Sequence, residues 1–211
     1  THTVAVSGDT IVSNDVSNRV ESNFQRLHEL LLETDVTHTH MEALPVGRKQ
    51  ESYPARRTIG GWLTASDDVG QEFDRLGFDV VSLPGNHTLD HSYAGLLGAW
   101  RTLDGAGIEH VGTGWDLADA REPAYVDAGD ATVGFVSATA SFYGEAIAGQ
   151  TARGDRRPGV NPIRTRHVVG EADWDDTVET AHQRGQSAIR RNGDELLVRP
   201  PGLGYPMRHF R

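Results

Sequence analysis

Phe78 to Leu83 is a largely apolar run, bounded by Gly77 and by the polar loop Gly85-Asn86-His87, with helix-patterned segments on both sides. Such a run has no face suited to water, so it predicts a strand inside a parallel sheet covered on both sides. The same alternation recurs along the first half of the chain. Thr3–Ser7 reads as a short strand carrying Val4 and Val6 and ending at Gly8 and Asp9. A helix is expected from Asn18 to Thr34, with Asn18 and Glu21 at capping-box spacing and Val20, Phe24, Leu27 and Leu31 in one stripe. Asp35–Met41 reads as a strand ending at Glu42, Asp67–Leu76 as a helix stopped by Gly77, Ser92–Leu103 as a helix and Ile108–Val111 as a strand. Alternation of this kind implies right-handed crossovers and a largely parallel sheet. Ala124–Asp127 and Thr132–Ser137 flank a Gly129-Asp130 turn signal and predict a hairpin. The expected fold class is α/β: a layered sheet of mostly parallel strands, flanking helices and some antiparallel pairing.

Two stretches lack periodicity. Ala43–Gly61 holds Pro45 and Pro54 and reads as a long loop, and Gly144–Pro162, rich in Gly, Arg and Pro, reads as a surface excursion. A helix is expected over Asp175–Arg190, and no element is assigned from Pro200 to Arg211. This divides the chain into a domain over 1–170 and a C-terminal extension, or the start of a further half, over 171–211. Because such a sheet normally continues with more strands, the fold is expected to be truncated at its C-terminus.

Charge narrows the partners. The chain has 20 basic and 30 acidic side chains and a formal net charge of −10. Nucleic acid and anionic lipid need clustered cations, so both are disfavoured. No apolar run of membrane-spanning length and no signal-peptide pattern is present, which leaves the location open between cytoplasm and cell surface. There is no cysteine, so a metal must sit on His, Asp, Glu or Asn.

Asp9, Glu42 and the pair Asn86-His87 each follow the carboxyl end of an expected strand. Ligands of open α/β sheets bind at that edge, so residues distant in sequence can converge there. Two carboxylates, an amide oxygen and an imidazole suit Mn, Mg or Zn, and a cation pair at such a site polarises a phosphoryl oxygen and generates hydroxide. Each residue also has a plainer role: Asp9 as a turn residue, Asn86-His87 as an Asx turn capping the next helix. Their joint placement favours the site.

Gly77-Phe78-Asp79-Val80-Val81-Ser82-Leu83 followed by Gly85-Asn86-His87 and Asp90 resembles the capsule-synthesis proteins of the CapA, or poly-γ-glutamate, type. Ser7-Gly8-Asp9, Asp35 to Glu42, Ala106-Gly107-Ile108, Gly112-Thr113-Gly114 and Arg157-Pro158-Gly159-Val160 extend the resemblance over about Val4 to Arg164. It implies a metallophosphoesterase-like fold and divalent metal, two ions in a complete protein. Metal roles follow for Asp9, Glu42 and Asn86, with His87 beside the substrate phosphate or acting as proton donor. Asp90 belongs to the same segment and is expected toward the substrate. The family's Asn-x-Glu is here His40-Met41-Glu42, so His40 is either an added ligand or a half-exposed strand histidine. Arg56 and Arg57, in the long loop, either meet an anionic substrate or form a solvated charged pair.

The family's later histidine motifs have no counterpart after Arg164. The expectation is therefore an amino-terminal portion, or a diverged member with an incomplete site. The implied function is biosynthesis or release of an anionic capsule polymer, by metal-assisted hydrolysis if catalytic. The implied partners are such a polymer or a phosphorylated small molecule, and a membrane-associated capsule-synthesis complex. The rival readings are a non-catalytic polymer-binding or assembly subunit and a general phosphodiesterase.

Overall fold

The computed structural model describes residues 1–46, 53–55 and 61–164, the strand residues 167–168, 187–191, 195–199 and 207–210, and residue 179. The chain divides into two compact units, Thr1–Ile163 and Arg164–Arg211. No helix among the described residues is long and apolar enough to cross a membrane.

The first unit is built on a four-stranded parallel sheet. Its strands are β1 (Val4–Thr10), β2 (Val36–Met41), β5 (Val80–Ser82) and β6 (Glu109–Val111), in the order β1-β2-β5-β6. Between β2 and β5 lie the short strands β3 (Leu44–Pro45) and β4 (Thr64–Ala65), which pair in parallel. Spatial order follows chain order, so right-handed crossovers carry the connecting helices α1 (Ser22–Leu32), α2 (Val69–Arg75) and α3 (Ser92–Ala106) to one face. The core confirms it: Met41 of β2, Val81 of β5 and Leu83 just past β5 meet Phe73 of α2 and Leu96, Ala99 and Leu103 of α3. One residue along β5, Val80 points the other way and meets Val111, Ala124, Val126 and Phe135. That second cover is the hairpin of β8 (Ala124–Ala128) and β9 (Ala131–Phe135), turned through Gly129 at φ 71°. Both faces of β5 are thus closed, as its apolar run requires.

Gly77 ends α2 as expected. At φ 84° it turns the chain left-handed, and Phe78 N–H reaches back to the Phe73 carbonyl at 3.0 Å.

Several expectations fail for identifiable reasons. The helix α1 starts at Ser22, not Asn18; Glu21 is its N-cap and makes no side-chain cap. Glu72, buried in α2, accepts hydrogen bonds from the Val16 and Ser17 N–H groups and the Ser17 hydroxyl. That tie brings Val16 against the core and leaves Val20 87% exposed. The capping-box spacing is real but loses to a tertiary carboxylate. β1 runs past Ser7 to Thr10, through a register shift between Val6 and Asp9. The loop after Glu42 begins and ends in ladder pairs, β3 with β4. Its residues 47–52 and 56–60, including Arg56 and Arg57, lie outside the described residues.

Gly144–Pro162 is a surface excursion only in its middle: residues 150–156 are exposed, while both ends of the segment are packed. The strand β7 (Thr113–Gly114) pairs antiparallel with β12 (Gly159–Val160), and Val160 is fully buried. Between them β10 (Gly149–Gln150) pairs with β11 (Arg156–Arg157). Gly159 permits this, because a Cβ there would overlap the backbone of Ala146 and Ala148.

In the second unit β13 (His167–Val168), β14 (Ser187–Arg191), β15 (Glu195–Arg199) and β16 (Met207–Phe210) form a sheet in the order β13-β16-β15-β14. The helix expected over Asp175–Arg190 is corrected at its end, where Ser187–Arg191 is a strand; Glu179 is helical, and the rest lies outside the described residues. The tail likewise holds a strand. Asn192-Gly193 between Ile189 and Leu196 was the legible hairpin signal.

His38 gives the first unit a pH dependence. Its ring stacks on Phe135 with centroids 5.5 Å apart, and its buried Nδ1 has no hydrogen-bond partner. Burial, with a smaller push from His40, holds His38 below the usual histidine range. The unfolded chain therefore binds more protons below about pH 6.5, and stability falls as pH is lowered through that value. In metal-free protein the melting temperature should drop between pH 7 and 5, and His38→Gln should flatten the drop. An unchanged slope in that variant would assign the dependence to another group.

Candidate functional site

Asp9 owes its position to a bulge. The buried Thr39 hydroxyl accepts from Ser7 Oγ at 2.7 Å, donates to the Gly8 carbonyl at 3.3 Å and also contacts Thr10 Oγ1. This clamp shifts the register so that Asp9 stands opposite His40 of β2. The Asp9 carboxylate is exposed at the strand end.

His40 is half-buried, and its Nδ1 lies 3.2 Å from Ser82 Oγ on β5. A Cβ on Gly85 would stand 3.0 Å from His40 Nε2, so the loop passes close over the ring. Burial holds His40 below the ordinary histidine range, against the opposing pull of Asp9 and Glu42 and with a smaller push from His87. All three groups are thus within electrostatic reach of one imidazole. His38 and Asp35 do not join them: His38 faces Phe135, and Asp35 accepts from Thr3 N and Oγ1 at the other end of β2.

The loop after β5 supplies His87. Its turn is made by Thr88 rather than by Asn86: the Thr88 hydroxyl accepts from Gly85 N–H at 2.7 Å and lies 2.8 Å from the Leu83 carbonyl. Asn86 is left to line a pocket beside the sheet edge. His87 is almost fully buried, with Nδ1 at 2.6 Å from Asp90 Oδ2 and Nε2 at 3.7 Å from Glu42 Oε1. An ionised Asp90 can only accept, so Nδ1 carries the proton and Nε2 is presented to Glu42. The 3.7 Å gap is too long for a hydrogen bond. Glu42 and His87 thus face one another without a direct hydrogen bond.

Asp90 lies behind His87 rather than at an open surface; it is 2% exposed. Its Oδ2 also accepts from Leu63 N–H at 2.9 Å, and its carbonyl accepts from Ala55 N–H at 2.7 Å. The neighbouring His91, buried, donates to the Leu63 carbonyl at 3.1 Å. Asp90 and His91 therefore strap the far end of the long loop onto the His87 turn. Nothing local in the sequence marks Leu63 or Ala55 as partners; the strap is made through backbone groups, which carry no side-chain signature.

The structure thus brings Asp9, His40, Glu42, His87 and Asp90 to one edge of the parallel sheet, with Asn86 at an adjoining pocket. Carboxylate, imidazole and amide donors fit a hard or borderline divalent ion in kind. Their spacing is pairwise: among the described residues no three His, Asp or Glu side chains stand together as a group that would hold one ion.

The profile of the bacterial capsule synthesis protein family, PGA_cap, matches residues 3–194. Two uncharacterised proteins of Sinorhizobium fredii (strain NBRC 101917 / NGR234) are each 32% identical over 174 residues, which is 81% of this chain and 38% of theirs. A protein of Mycobacterium tuberculosis (strain H37Rv), named as a probable polyglutamine synthesis accessory protein, is 46% identical over 88 residues, 40% of this chain and 22% of its own. The chain spans about two-fifths of the length of the first of these relatives. With the profile matched from residue 3 to residue 194 and the layered α/β sheet that the resemblance implies, this chain belongs to the bacterial capsule synthesis protein family PGA_cap.

Proposed function

We propose that the sheet edge is a hydrolytic or transfer centre acting on an amide-linked capsule polymer of the poly-γ-glutamate type. The observation that carries the reading is the buried Asp90–His87 pair presented to Glu42 beside Asp9 and His40. Asp90 fixes the tautomer, His87 offers Nε2 as the group that takes or returns a proton at the scissile bond, and Glu42 keeps that nitrogen's surroundings negative. Asp9, Glu42 and Asn86, with His40 beside them, would hold a divalent ion such as Mn, Mg or Zn. When bound, such an ion polarises a carbonyl or phosphoryl oxygen and lowers the pKa of water. The polyglutamine named for the mycobacterial relative supports an amide-linked chain as substrate. A membrane-associated synthesis complex is the proposed setting.

A second reading is a polymer-binding or assembly subunit without turnover. One measurement separates the two. An ion that binds only the folded chain stabilises it by mass action, by about 2.7 kcal/mol at a concentration 100 times Kd, and so raises its melting temperature. Mn or Zn should raise the melting temperature of the 211-residue chain, and Glu42→Gln should abolish most of the rise. An equal rise in the variant would remove Glu42 from the site; no rise in the parent, with polymer still bound, would favour the binding subunit.

A further inference from the structure

β6 is the last strand in the order of the parallel sheet, so one of its edges is open. Glu109 N–H donates to the Asp79 carbonyl at 3.1 Å, and the Val111 carbonyl accepts from Leu83 N–H at 3.2 Å. In a parallel ladder alternate residues bond the same neighbour, so the N–H and C=O of His110, between them, point away from β5. No bond of either group to another element is found among the described residues. An open pocket of about 330 Å³ is lined by the whole run Glu109–Gly114. One wall is aromatic. Trp100 of α3 donates from Nε1 to Thr113 Oγ1 at 2.8 Å, and Trp115 packs against it at 65° with ring centroids 5.2 Å apart. Trp115 N–H donates to Asp119 Oδ2 at 2.8 Å, and Arg156 holds Asp116 and Asp119 at 2.8 and 2.9 Å. The turn is fixed while the Trp115 ring is 44% exposed. A large aromatic ring held in place and open to solvent gives a ligand contact area at little cost in ordering.

Charge decides what can lie along this edge. Asp104, Glu109, Asp119 and Glu122 line the pocket, and no lysine or arginine does. Asp119 is paired with Arg156, and Asp104 Oδ1 stands 3.2 Å from His110 Nε2, while Glu109 and Glu122 have no ion-pair partner among the described residues. A second copy meeting this edge through its own β6 would set the same carboxylates against one another. An anionic polymer is repelled on the same ground, so the capsule chain does not run here. An extended peptide carrying a guanidinium meets every group present. Its main chain takes up the His110 N–H and C=O, its flat cation stacks on an indole face, and its N–H groups pair with carboxylates. Arg156 shows the same chemistry within the chain, on the two aspartates of the Trp115 turn.

We propose that the open edge of β6 is a docking groove for an extended, arginine-bearing segment of a partner protein, which adds as a further strand beside His110 and lays its guanidinium on Trp115. The groove is independent of the hydrolytic centre. It holds whether or not the chain turns over polymer.

Isothermal titration of the full 211-residue chain with the capped pentapeptides Thr-Val-Arg-Val-Thr and Thr-Val-Glu-Val-Thr tests it, with exchange of the His110 amide proton followed by NMR. The arginine peptide should bind about tenfold tighter or more than the glutamate peptide, and its affinity should fall as salt is raised. Binding should slow exchange of the His110 N–H by about tenfold or more, because that group passes from solvent into a ladder. The arginine peptide with its two central amides N-methylated should lose about as much affinity, since it keeps the cation and loses the main-chain donors. Trp115→Ala should weaken the parent peptide by about tenfold, the scale of an aromatic anchor, and Glu122→Gln severalfold. No binding of the arginine peptide at millimolar concentration, equal affinity for the two peptides, or unchanged His110 exchange in the complex would overturn the proposal. So would a methylated peptide, or methylguanidinium alone, that binds as tightly as the parent peptide, for then the cation is held and the edge is not paired. A dimer in sedimentation that Trp115→Ala dissolves would give the edge to a second copy of the chain instead.

Discussion

Replacing His87 with glutamine is expected to lower the rate of polymer cleavage by about 10²–10⁴-fold, the range that a positioned acid–base group supplies. His87 is the ring in the site with one nitrogen fixed on a buried carboxylate and the other presented to the sheet edge. Glutamine retains an acceptor and a donor but does not titrate, so binding of polymer should survive while turnover does not. The loss should therefore fall on kcat and leave KM within a few-fold. The measurement is product release from an amide-linked glutamate polymer with Mn present, for the parent and the variant. A variant rate within threefold of the parent would remove His87 from the chemistry, and a parent that releases no product would remove the hydrolytic reading itself.

The sequence showed the edge of the sheet more clearly than its contents. Apolar runs such as Phe78–Leu83 and the glycine stop at Gly77 are local signals, and the parallel sheet follows from them. Asp9, Glu42 and His87 were legible for the same reason, because strand ends can be located and topology brings them together. What escaped was everything made by long-range backbone contacts. Glu72 reaches back to Val16 and Ser17 and moves the start of α1, and the Thr39 hydroxyl decides where Asp9 points. Tyr143 and Glu145 sit in a stretch with no period, and the hydrogen bond from the Tyr93 hydroxyl to the Glu145 carbonyl, 52 residues away in sequence, joins that stretch to α3. Asn192-Gly193 is a different case. There the turn signal is local, and it stands between two strands that pair antiparallel, just past the end of the helix expected over Asp175–Arg190.

Asp90→Ala should be the most destabilising single change at the site, by about 3 kcal/mol or more, because it leaves two buried donors without an acceptor. Those donors are His87 Nδ1–H at 2.6 Å and Leu63 N–H at 2.9 Å, both on Oδ2. For a domain of this size the melting temperature should fall by roughly 6–12 °C. Asp90→Asn separates structure from chemistry. Its amide oxygen can still accept from one or both donors, so most of the stability should return. It carries no charge, however, and it can present N–H to the ring. His87 is then free to take the other tautomer, with its bare nitrogen toward residue 90 and its proton toward Glu42. The asparagine variant should therefore keep a melting temperature near that of the parent, lose activity by an order of magnitude or more, and show a pH profile displaced from the parent's. If Asp90→Asn is as active as the parent across the profile, Asp90 is a strap for Leu63 and nothing more, and the orientation of His87 must come from Glu42.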